Sequence, residues 1–600
     1  MSQQQNNDMQ QHYYRASADD FDKVPGAPIA YWVSSAVRKI FHKFNKISTI
    51  STSAVGQNTG DNERFLKYWY EISWSKIGIG CESREETFSN EKKWYPYNKG
   101  GGYRKWYGNF EYVVNWHNDA QEIKKYAVIR NGGKHWSRYI QNLEWLFHEG
   151  ITWSDVTSGR LAGRYLPTGF ISDVSGHCAF FDGVSPLVGL SILNSKFVFE
   201  MSRVLNPTIH FQAGNYRDIP YADKINSAFT IKTVQSLVDI GEIDWISFEA
   251  HYGCVNQPLL TSETRQSTLD TSYQKLRTKW RETTLEMQRL EEENNRIFID
   301  AYGLQGELTP EVPLSEITLT CNPHYRYGGN LTDEEREARL QSDTICELIS
   351  YVIGCMMGRY SLDREGLVYA HAGNEGFKAL VEEGAYATFA ADEDGILPLS
   401  TDSWFEDDVA TRLEAFVCTA WGTETLEENL QFIADSLCLA AIKPVKKGGE
   451  TSRETLRRYL STQFFKDHMK TYKKRPIYWL FSSGKEKAFE CLVYLHRYNE
   501  ATLPRMRTEY VTPLLGQMAG RIERLRLQQT EASTAEAKRI GKEIDSLIKQ
   551  LAELRAFDDQ LKHHADMRIT LDLDDGVKVN YGKFGTLLSD VKAITGDKGE

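Results

Sequence analysis

The chain has 600 residues, of which 41% are hydrophobic and 26% are charged, a composition typical of globular proteins rather than disordered or fibrous ones. The length predicts about three to five domains. No apolar run reaches the ~18 residues that a membrane span needs, and the polar start lacks the features of a secretory signal, so we expect a cytoplasmic protein without a membrane partner.

The net charge of −11 argues against a nucleic-acid partner only if the charge is evenly spread, and it is not. Residues 91–140 contain ten Lys and Arg against four Asp and Glu, whereas residues 281–350 contain six against fifteen. Because a basic patch on an acidic protein can bind DNA phosphates, the local charge is the informative quantity.

Residues 1–60 begin as a polar tail. Pro25 and Pro28 predict a turn, and a short amphipathic helix should follow it. Since this segment lacks the mass of a domain, we expect it to be the remnant of a domain whose main body is missing.

Residues 61–222 predict a mixed α/β domain. A helix-like run extends from Ser185 to Leu205 near its end. The β-rich runs are short and separated by Gly, Asn and Asp: "EYVVNW", "KKYAVI", "GITWSDV" and "RYLPTGFISDV".

Residues 223–475 predict an acidic, mainly helical region. Its two clearest helices are "SYQKLRTKWRETTLEMQRLEEENNRIFIDAYGL" and "DEEREARLQSDTICELISYVIGCMMGRY". The acidic segment "ATFAADEDGILPLSTDSWFEDD" is more typical of a solvated loop than of a metal site.

Residues 476–600 predict an antiparallel helical hairpin followed by a terminal β-hairpin at Asp575-Gly576. Ser533 and Glu536 form a capping-box pattern at the start of the second helix. Its apolar face has a 4-3-4-3-7 spacing: Ile540, Ile544, Leu547, Leu551, Leu554 and Leu561. The predicted fold class is therefore mixed α+β.

The stretch from Lys92 to Trp116, "KKWYPYNKGGGYRKWYGNFEYVVNW", contains nine aromatic rings, five cations and three consecutive glycines. Lys and Arg are rarely buried unless paired, and consecutive glycines are costly to order, so we expect a surface that meets something flat and anionic. The alternative is a β-rich domain whose rings pack internally, and composition alone favours neither.

Catalytic and metal-binding motifs are missing from the sequence. It contains no P-loop, GxSxG or HExxH motif, and its nine cysteines form no CxxC pair. Asn322-Pro323-His324-Tyr325 resembles the Asn-Pro-Pro-Tyr/Phe tetrapeptide of amino-group DNA methyltransferases. Because the second proline is a histidine and no glycine-rich cofactor loop lies upstream, we expect a turn here and no catalytic, cofactor or metal residues.

Long motifs spanning residues 13 to 595 resemble the C-terminal half of the adenine-specific DNA methyltransferase of BREX phage-exclusion systems, the PglX type. They occur in the family's order, and include "YYRASADDFDKVPGAPIAYWVS", "TGDNERFLKYWYEI", "GITWSDVTSGRLAGRYLPTGFISDVSG", "LSILNSKFVFEMSRVLNPTIHFQAGNYRDIP", "LISYVIGCMMGRYSLDREGLVYA" and "DLDDGVKVNYGKFG".

The resemblance implies a target-recognition domain at 61–222, followed by the helical regions 223–475 and 476–600. The family protein is about twice as long, and its N-terminal half carries the S-adenosylmethionine fold and the catalytic tetrapeptide. We therefore expect no cofactor in this chain and no methylation by it alone. The implied partners are double-stranded DNA and the N-terminal half or other BREX proteins.

Within this resemblance, twelve residues are predicted to bind DNA. The candidates for phosphate and guanine contacts are Lys93, Lys99, Arg104, Lys105, Lys134 and Arg138. The candidates for stacking or base-edge contacts are Tyr97, Trp106 and Asn109, and those for the same groove are Ser154, Arg160 and Arg164.

The alternative function is a non-catalytic interaction scaffold of a phage-defence complex, whose acidic middle docks other proteins or mimics DNA. Alanine at Lys99, Arg104 and Lys105 should abolish DNA retention if the chain recognises DNA. It should change nothing if the chain is a scaffold.

Overall fold

The chain forms two compact units, each assembled from separate segments. The first comprises the described residues of Met1–Lys67 with Lys76–Ile246 and Thr278–Asn330, and the second comprises Tyr68–Ser75, Ser247–Arg277 and the described residues of Leu331–Glu600. The computed structural model describes residues 34–155, 160–206, 208, 210–251, 253, 257–399, 404–438 and 449–596. The domain boundaries at 60, 222 and 475 stay predictions, and the predicted turn at Pro25 and Pro28 lies outside the described residues.

Helices and strands both contribute to the fold, so the predicted mixed α+β class is confirmed. In the first unit, one four-stranded sheet has the order β2-β9-β6-β7, a second has the order β3-β5-β4-β8, and β1 pairs with β10. The β4–β8 pair is parallel, whereas β4–β5, β6–β7, β6–β9 and β2–β9 are antiparallel. The strands are β1 (Asn45–Lys46), β2 (Ser51–Ala54), β3 (Leu66–Tyr68), β4 (Trp94–Asn98), β5 (Tyr112–Asn115), β6 (Gly150–Ser154), β7 (Gly163–Leu166), β8 (Ile171–Ser172), β9 (Gly176–Phe181) and β10 (Pro220–Tyr221).

The helices of the first unit flank these sheets. They are α1 (Ser35–Lys43), α2 (Asn62–Phe65), α3 (His117–Arg130), α4 (Pro186–Leu193), α5 (Lys196–Leu205), α6 (Ala213–Arg217), α7 (Ala228–Ile246), α8 (Leu269–Tyr302, whose residues up to 277 belong to the second unit) and α9 (Pro323–Arg326). Helix α1 is the predicted amphipathic helix. Its Val37 and Phe41 pack against Val204 and Leu205 of α5, so that prediction is confirmed.

Two local predictions for the first unit were wrong. The helix-like run from Ser185 to Leu205 is interrupted, because the Ser195 hydroxyl accepts a hydrogen bond from the Val198 N–H and starts a new helix. The run "KKYAVI", predicted as β-rich, lies inside α3. Its Ile123 and Ala127 are four residues apart and both buried, a helical spacing that outweighs the β propensity of the individual residues.

The stretch from Lys92 to Trp116 supplies much of the core of the first unit. Seven of its nine rings are buried, and Tyr95, Tyr97 and Trp116 belong to one apolar cluster. The expectation of an exposed surface was therefore wrong for most of this stretch. The alternative, a β-rich domain with internal aromatics, describes it better, because two of its cations are buried in ion pairs.

The second unit is mainly helical, with one three-stranded antiparallel sheet of order β11-β13-β12. The predicted long helices are confirmed as α8 and α10. Its elements are α10 (Asp333–Met356), α11 (Phe377–Glu382), β11 (Ile396–Pro398), α12 (Val409–Trp421), α13 (Leu426–Leu437), α14 (Ser452–Thr462), α15 (Phe464–Thr471), β12 (Tyr478–Ser482), β13 (Glu490–Tyr494), α16 (Thr502–Arg505), α17 (Thr512–Glu531), α18 (Thr534–Asp566), α19 (Gly576–Gly582) and α20 (Val591–Thr595).

Helices α17 and α18 form the predicted antiparallel hairpin, since they are consecutive and pack together. Ile522 and Leu525 of α17 share a cluster with Ile540, Ile544 and Leu547 of α18, so the predicted apolar face is confirmed. Ser533 occupies the N-cap position of α18, but its side chain makes no capping hydrogen bond, so the capping box itself was wrong.

The terminal β-hairpin at Asp575-Gly576 was also wrong, because a 3-10 turn leads here into helix α19. Val577 and Tyr581 are four residues apart and both buried, which favours a helix over a strand. The Asn580 side chain donates hydrogen bonds to the carbonyls of Asp572 and Gly576, at 2.6 and 2.9 Å, and holds the turn.

The acidic segment before α12 is only partly the solvated loop expected from its composition. Its Ile396–Pro398 forms strand β11, and Asp392 is 7% exposed. Arg412 contacts the Asp392 carboxylate at 3.1 Å, so this charge is buried with a partner.

Candidate nucleic-acid-binding surface

Five of the twelve residues predicted to bind DNA are buried: Tyr97, Arg104, Lys105, Trp106 and Arg164. Direct DNA contact by them stays a prediction, and the structure gives each of them an internal position instead.

Arg104 is anchored inside the first unit. Its guanidinium contacts the Asp244 carboxylate at 2.7 Å, and it donates to the Tyr107 carbonyl at 2.8 Å and the Thr320 hydroxyl at 2.9 Å. Burial raises the pKa of Asp244, but the charge of Arg104 and two backbone N–H groups outweigh burial and hold that pKa below its usual value. The pair therefore ties the loop after β4 to helix α7.

Lys105 and Trp106 share one acceptor, the buried carboxylate of Glu291. The Lys105 ammonium forms an ion pair with one oxygen, and the Trp106 indole N–H donates to the other at 2.7 Å. Burial lowers the pKa of Lys105, but the charge of Glu291 outweighs that effect and raises it overall. Lys105 is therefore charged and paired inside the protein.

Tyr97 and Arg164 also face the interior. The Tyr97 hydroxyl lies 2.8 Å from Asp173 Oδ2 and 3.1 Å from the Gln57 carbonyl oxygen. Arg164 is 1% exposed, and its Nε and Nη2 have no hydrogen-bond partner among the described residues. Burial lowers the pKa of Arg164 to about 10, so the guanidinium stays charged at neutral pH.

Four of the remaining seven residues are half-buried: Lys93 precedes β4, Lys99 follows it, and Asn109 and Ser154 contact the glycine loop after β4. Lys99 lies over the Tyr112 ring with 5.3 Å between Nζ and the ring centroid, and Lys93 lies over Trp94 at 5.7 Å. The Ser154 hydroxyl accepts from the Gly101 N–H and donates to the Gly101 carbonyl, and Asn109 donates to the Gly102 carbonyl. Ser154 and Asn109 thus fix the shape of the loop.

The three exposed residues are Lys134, Arg138 and Arg160, and they divide into two environments. Arg160 forms an ion pair with Glu316. Lys134 and Arg138 follow the end of α3, where Gly132 and Gly133 have φ of 64° and 83°. Their side chains have no hydrogen bond or ion pair with any residue that the structure describes.

Two further exposed cations belong to this same region and were missed from the sequence. Lys125 and Arg130 lie on α3, so four exposed cations lie along the second half of α3 and just after the Gly-Gly turn, a group we call the basic turn: Lys125, Arg130, Lys134 and Arg138. The sequence feature that could have indicated them is the basic run "KKYAVIRNGGKHWSR". Its first seven residues belong to α3, which ends at Arg130.

One cavity in the first unit has a volume of about 390 Å³. Lys105, Arg160 and Lys196 contribute three positive charges to its lining, and Glu200, Glu291, Glu307 and Glu316 contribute four negative ones. Because the charges nearly balance and most are already paired, the cavity has no clear preference for an anion or a cation.

The described residues supply little else that could carry chemistry. No group of three or more His, Cys, Asp or Glu among them is placed to hold a metal ion. Asn322 caps the short helix α9, and its amide donates to the carbonyls of Leu314 and Ile317, so the tetrapeptide there forms a capped helical turn. No described helix is long and apolar enough to cross a membrane.

Comparison with known proteins shows to which proteins this chain is similar. No protein-family model matches it. The adenine-specific methyltransferase BrxX of Escherichia coli O9:H4 (strain HS) is 48% identical over 585 residues, which are 97% of this chain and 46% of the relative. The chain is homologous to part of the adenine-specific methyltransferases. The adenine-specific methyltransferase PglX of Lacticaseibacillus casei (strain Zhang) is 37% identical over 593 residues, with the same two shares. The chain thus spans about half the length of the curated relatives it matches.

Proposed function

We propose that this chain is the DNA target-recognition portion of a BREX-type, site-specific adenine-N6 DNA methyltransferase that acts in phage defence in the cytoplasm. The observation that carries the proposal is the homology over 97% of the chain to two proteins named adenine-specific methyltransferases. The S-adenosylmethionine site and the catalytic residues belong, in this proposal, to the N-terminal half of the family protein.

The basic turn of the first unit supports a DNA partner. Its cations are exposed. The acidic residues of α3 are already paired with cations: Asp119 forms ion pairs with Arg84 and Lys124, and Glu122 lies 3.5 Å from Arg64. The surface is therefore positive although the whole chain is acidic. Each phosphate that such a surface neutralises releases counterions, which makes binding weaken steeply with salt.

The test is a gel shift with duplex DNA at low salt. The variant Arg130→Ala, Lys134→Ala, Arg138→Ala should lose retention, and its affinity should fall less steeply with salt, by about one unit of slope for each lost phosphate contact. The matched control Lys39→Ala, Lys224→Ala, Lys232→Ala removes the same charge from exposed positions elsewhere in the first unit and should bind normally.

The variant suggested by the sequence alone, with alanine at Lys99, Arg104 and Lys105, is unsuitable. It removes two buried ion pairs, so a loss of binding could follow from unfolding. Equal weak binding by the wild type, the basic-turn variant and the control would contradict the proposal and favour the scaffold function. Methylation of adenine should require the N-terminal half and S-adenosylmethionine in addition.

A further inference from the structure

Helix α3 presents one polar face outward from the first unit. Gln121, Lys125 and Ile129 follow each other at intervals of four residues and are exposed, and Ile129 is 78% exposed. Ile123 and Ala127 on the opposite face are buried at 1% and 0%. With 3.6 residues per turn, the three exposed residues lie within one narrow stripe along the helix.

A left-handed turn precedes the regular part of α3. Asn118, Asp119 and Ala120 have φ of 49°, 55° and 57°, a conformation that Asn and Asp adopt more readily than Ala does. The buried Asp119 carboxylate holds the turn, since it accepts from Arg84 Nε and Nη2 at 2.8 and 2.5 Å and also binds Lys124. Asn118 is exposed, three residues before Gln121 in the sequence.

We propose that α3 is the helix that enters the major groove of the target DNA, with Asn118, Gln121, Lys125 and Ile129 facing the base edges. This inference rests on the proposed function and names the residues that choose the site. A helix fits the major groove, which is about 12 Å wide. Strained backbone held by buried contacts is also typical of functional sites.

The side chains of the stripe carry groups that can bind the edges of DNA bases. Asn and Gln can each make two hydrogen bonds to N6 and N7 of adenine, Lys can donate to O6 and N7 of guanine, and an exposed Ile side chain can contact a thymine methyl group. None of the side chains of Asn118, Gln121 and Lys125 has a hydrogen bond or ion pair with another described residue, so their donors and acceptors remain available.

Charge favours DNA over a protein as the occupant of this face. Arg130, Lys134 and Arg138 lie at its C-terminal end, in position to contact phosphates, while the 3-10 helix Glu85–Phe88 places two carboxylates near its N-terminal end. Phosphate contacts are therefore assigned to the C-terminal end, and base contacts to the stripe between Asn118 and Ile129.

The experiment maps N6-methyladenine across genomic DNA by single-molecule sequencing, in cells that express this chain together with the methyltransferase half. Gln121→Ala and Asn118→Ala should each relax the methylated motif at one position, with a loss of base preference of about fivefold or more. Gln235→Ala, an exposed glutamine on α7, is the matched control and should leave the motif unchanged.

Two outcomes separate this inference from the proposed function. If the wild type supports methylation of a defined motif and the Asn118, Gln121 and Lys125 alanine variants all retain it, the assignment of α3 is wrong while the function stands. If the wild type neither binds duplex DNA nor supports methylation, the proposed function fails. Thermal melting of each purified variant checks that these exposed substitutions leave the fold intact.

Discussion

We expect substitution of Asp119 to destabilise the first unit strongly. This substitution tests whether the Asp119 carboxylate holds the left-handed turn in place. Asp119 is 3% exposed and is bound by both Arg84 and Lys124. Removing one partner of a buried ion pair costs about 3–5 kcal/mol. The left-handed conformation costs about 1–2 kcal/mol at Ala120 and less at Asn118 and Asp119, so the turn depends on these contacts.

We therefore expect Asp119→Ala to lower the free energy of unfolding by about 4 kcal/mol. Asp119→Asn keeps the shape and loses the charge, so we expect a cost of about 2 kcal/mol from it. Urea unfolding followed by tryptophan fluorescence measures both, and hydrogen exchange over residues 110–140 locates the change. The control is Glu122→Gln, whose exposed pair with Arg64 should contribute under about 1 kcal/mol.

The pH dependence gives a second check on the same carboxylate. Burial raises the pKa of Asp119, but its hydrogen bonds and ion pairs with Arg84 and Lys124 outweigh that effect and lower it below 3.8. The stabilisation is then fully present above the unfolded-state pKa and is lost as pH falls through the folded-state pKa. The difference between wild type and Asp119→Asn should shrink below pH ~4. A cost under about 1 kcal/mol for Asp119→Ala at pH 7 would refute the reasoning.

Four further substitutions test the interior of each unit by itself. Asp244→Ala leaves the Arg104 guanidinium buried without its carboxylate and should cost about 3–5 kcal/mol in urea unfolding. Gly56→Ala places a Cβ 2.2 Å from the Ser172 carbonyl oxygen and should cost about 3 kcal/mol or more, whereas Gly102→Ala, with no atom within 4 Å of the new Cβ, should be nearly neutral. Burial, together with Asp392, raises the pKa of Asp394 to about 7, so its protonated form is favoured in the fold and stability falls between pH ~4 and 7. Asp394→Asn should match the wild type near pH ~3.5 and exceed it at pH 8 by up to about 4 kcal/mol; equal differences at both pH values would contradict this.

The sequence by itself determined the features that depend on local spacing. The apolar residues of α18 recur at helical intervals, so the hairpin with α17 could be predicted, as could the long helices α8 and α10. The resemblance to adenine-specific methyltransferases could also be found from ordered motifs alone, and the homology confirms it. Lys134 and Arg138 were identified from local charge, and they are exposed in the structure.

Only the tertiary structure decided which charges and rings are inside. Arg104 pairs with Asp244, 140 residues away, and Lys105 with Glu291, 186 residues away, and no pattern within the Lys92 to Trp116 stretch records those partners. The same holds for the helix that contains "KKYAVI", where Ile123, just before this run, and Ala127 within it are both buried, at a spacing that favours a helix over a strand. Charged residues can be buried once partners distant in sequence neutralise them. The stretch from Lys92 to Trp116 therefore lies mostly in the interior, and the candidate DNA-binding face lies on helix α3, which follows it.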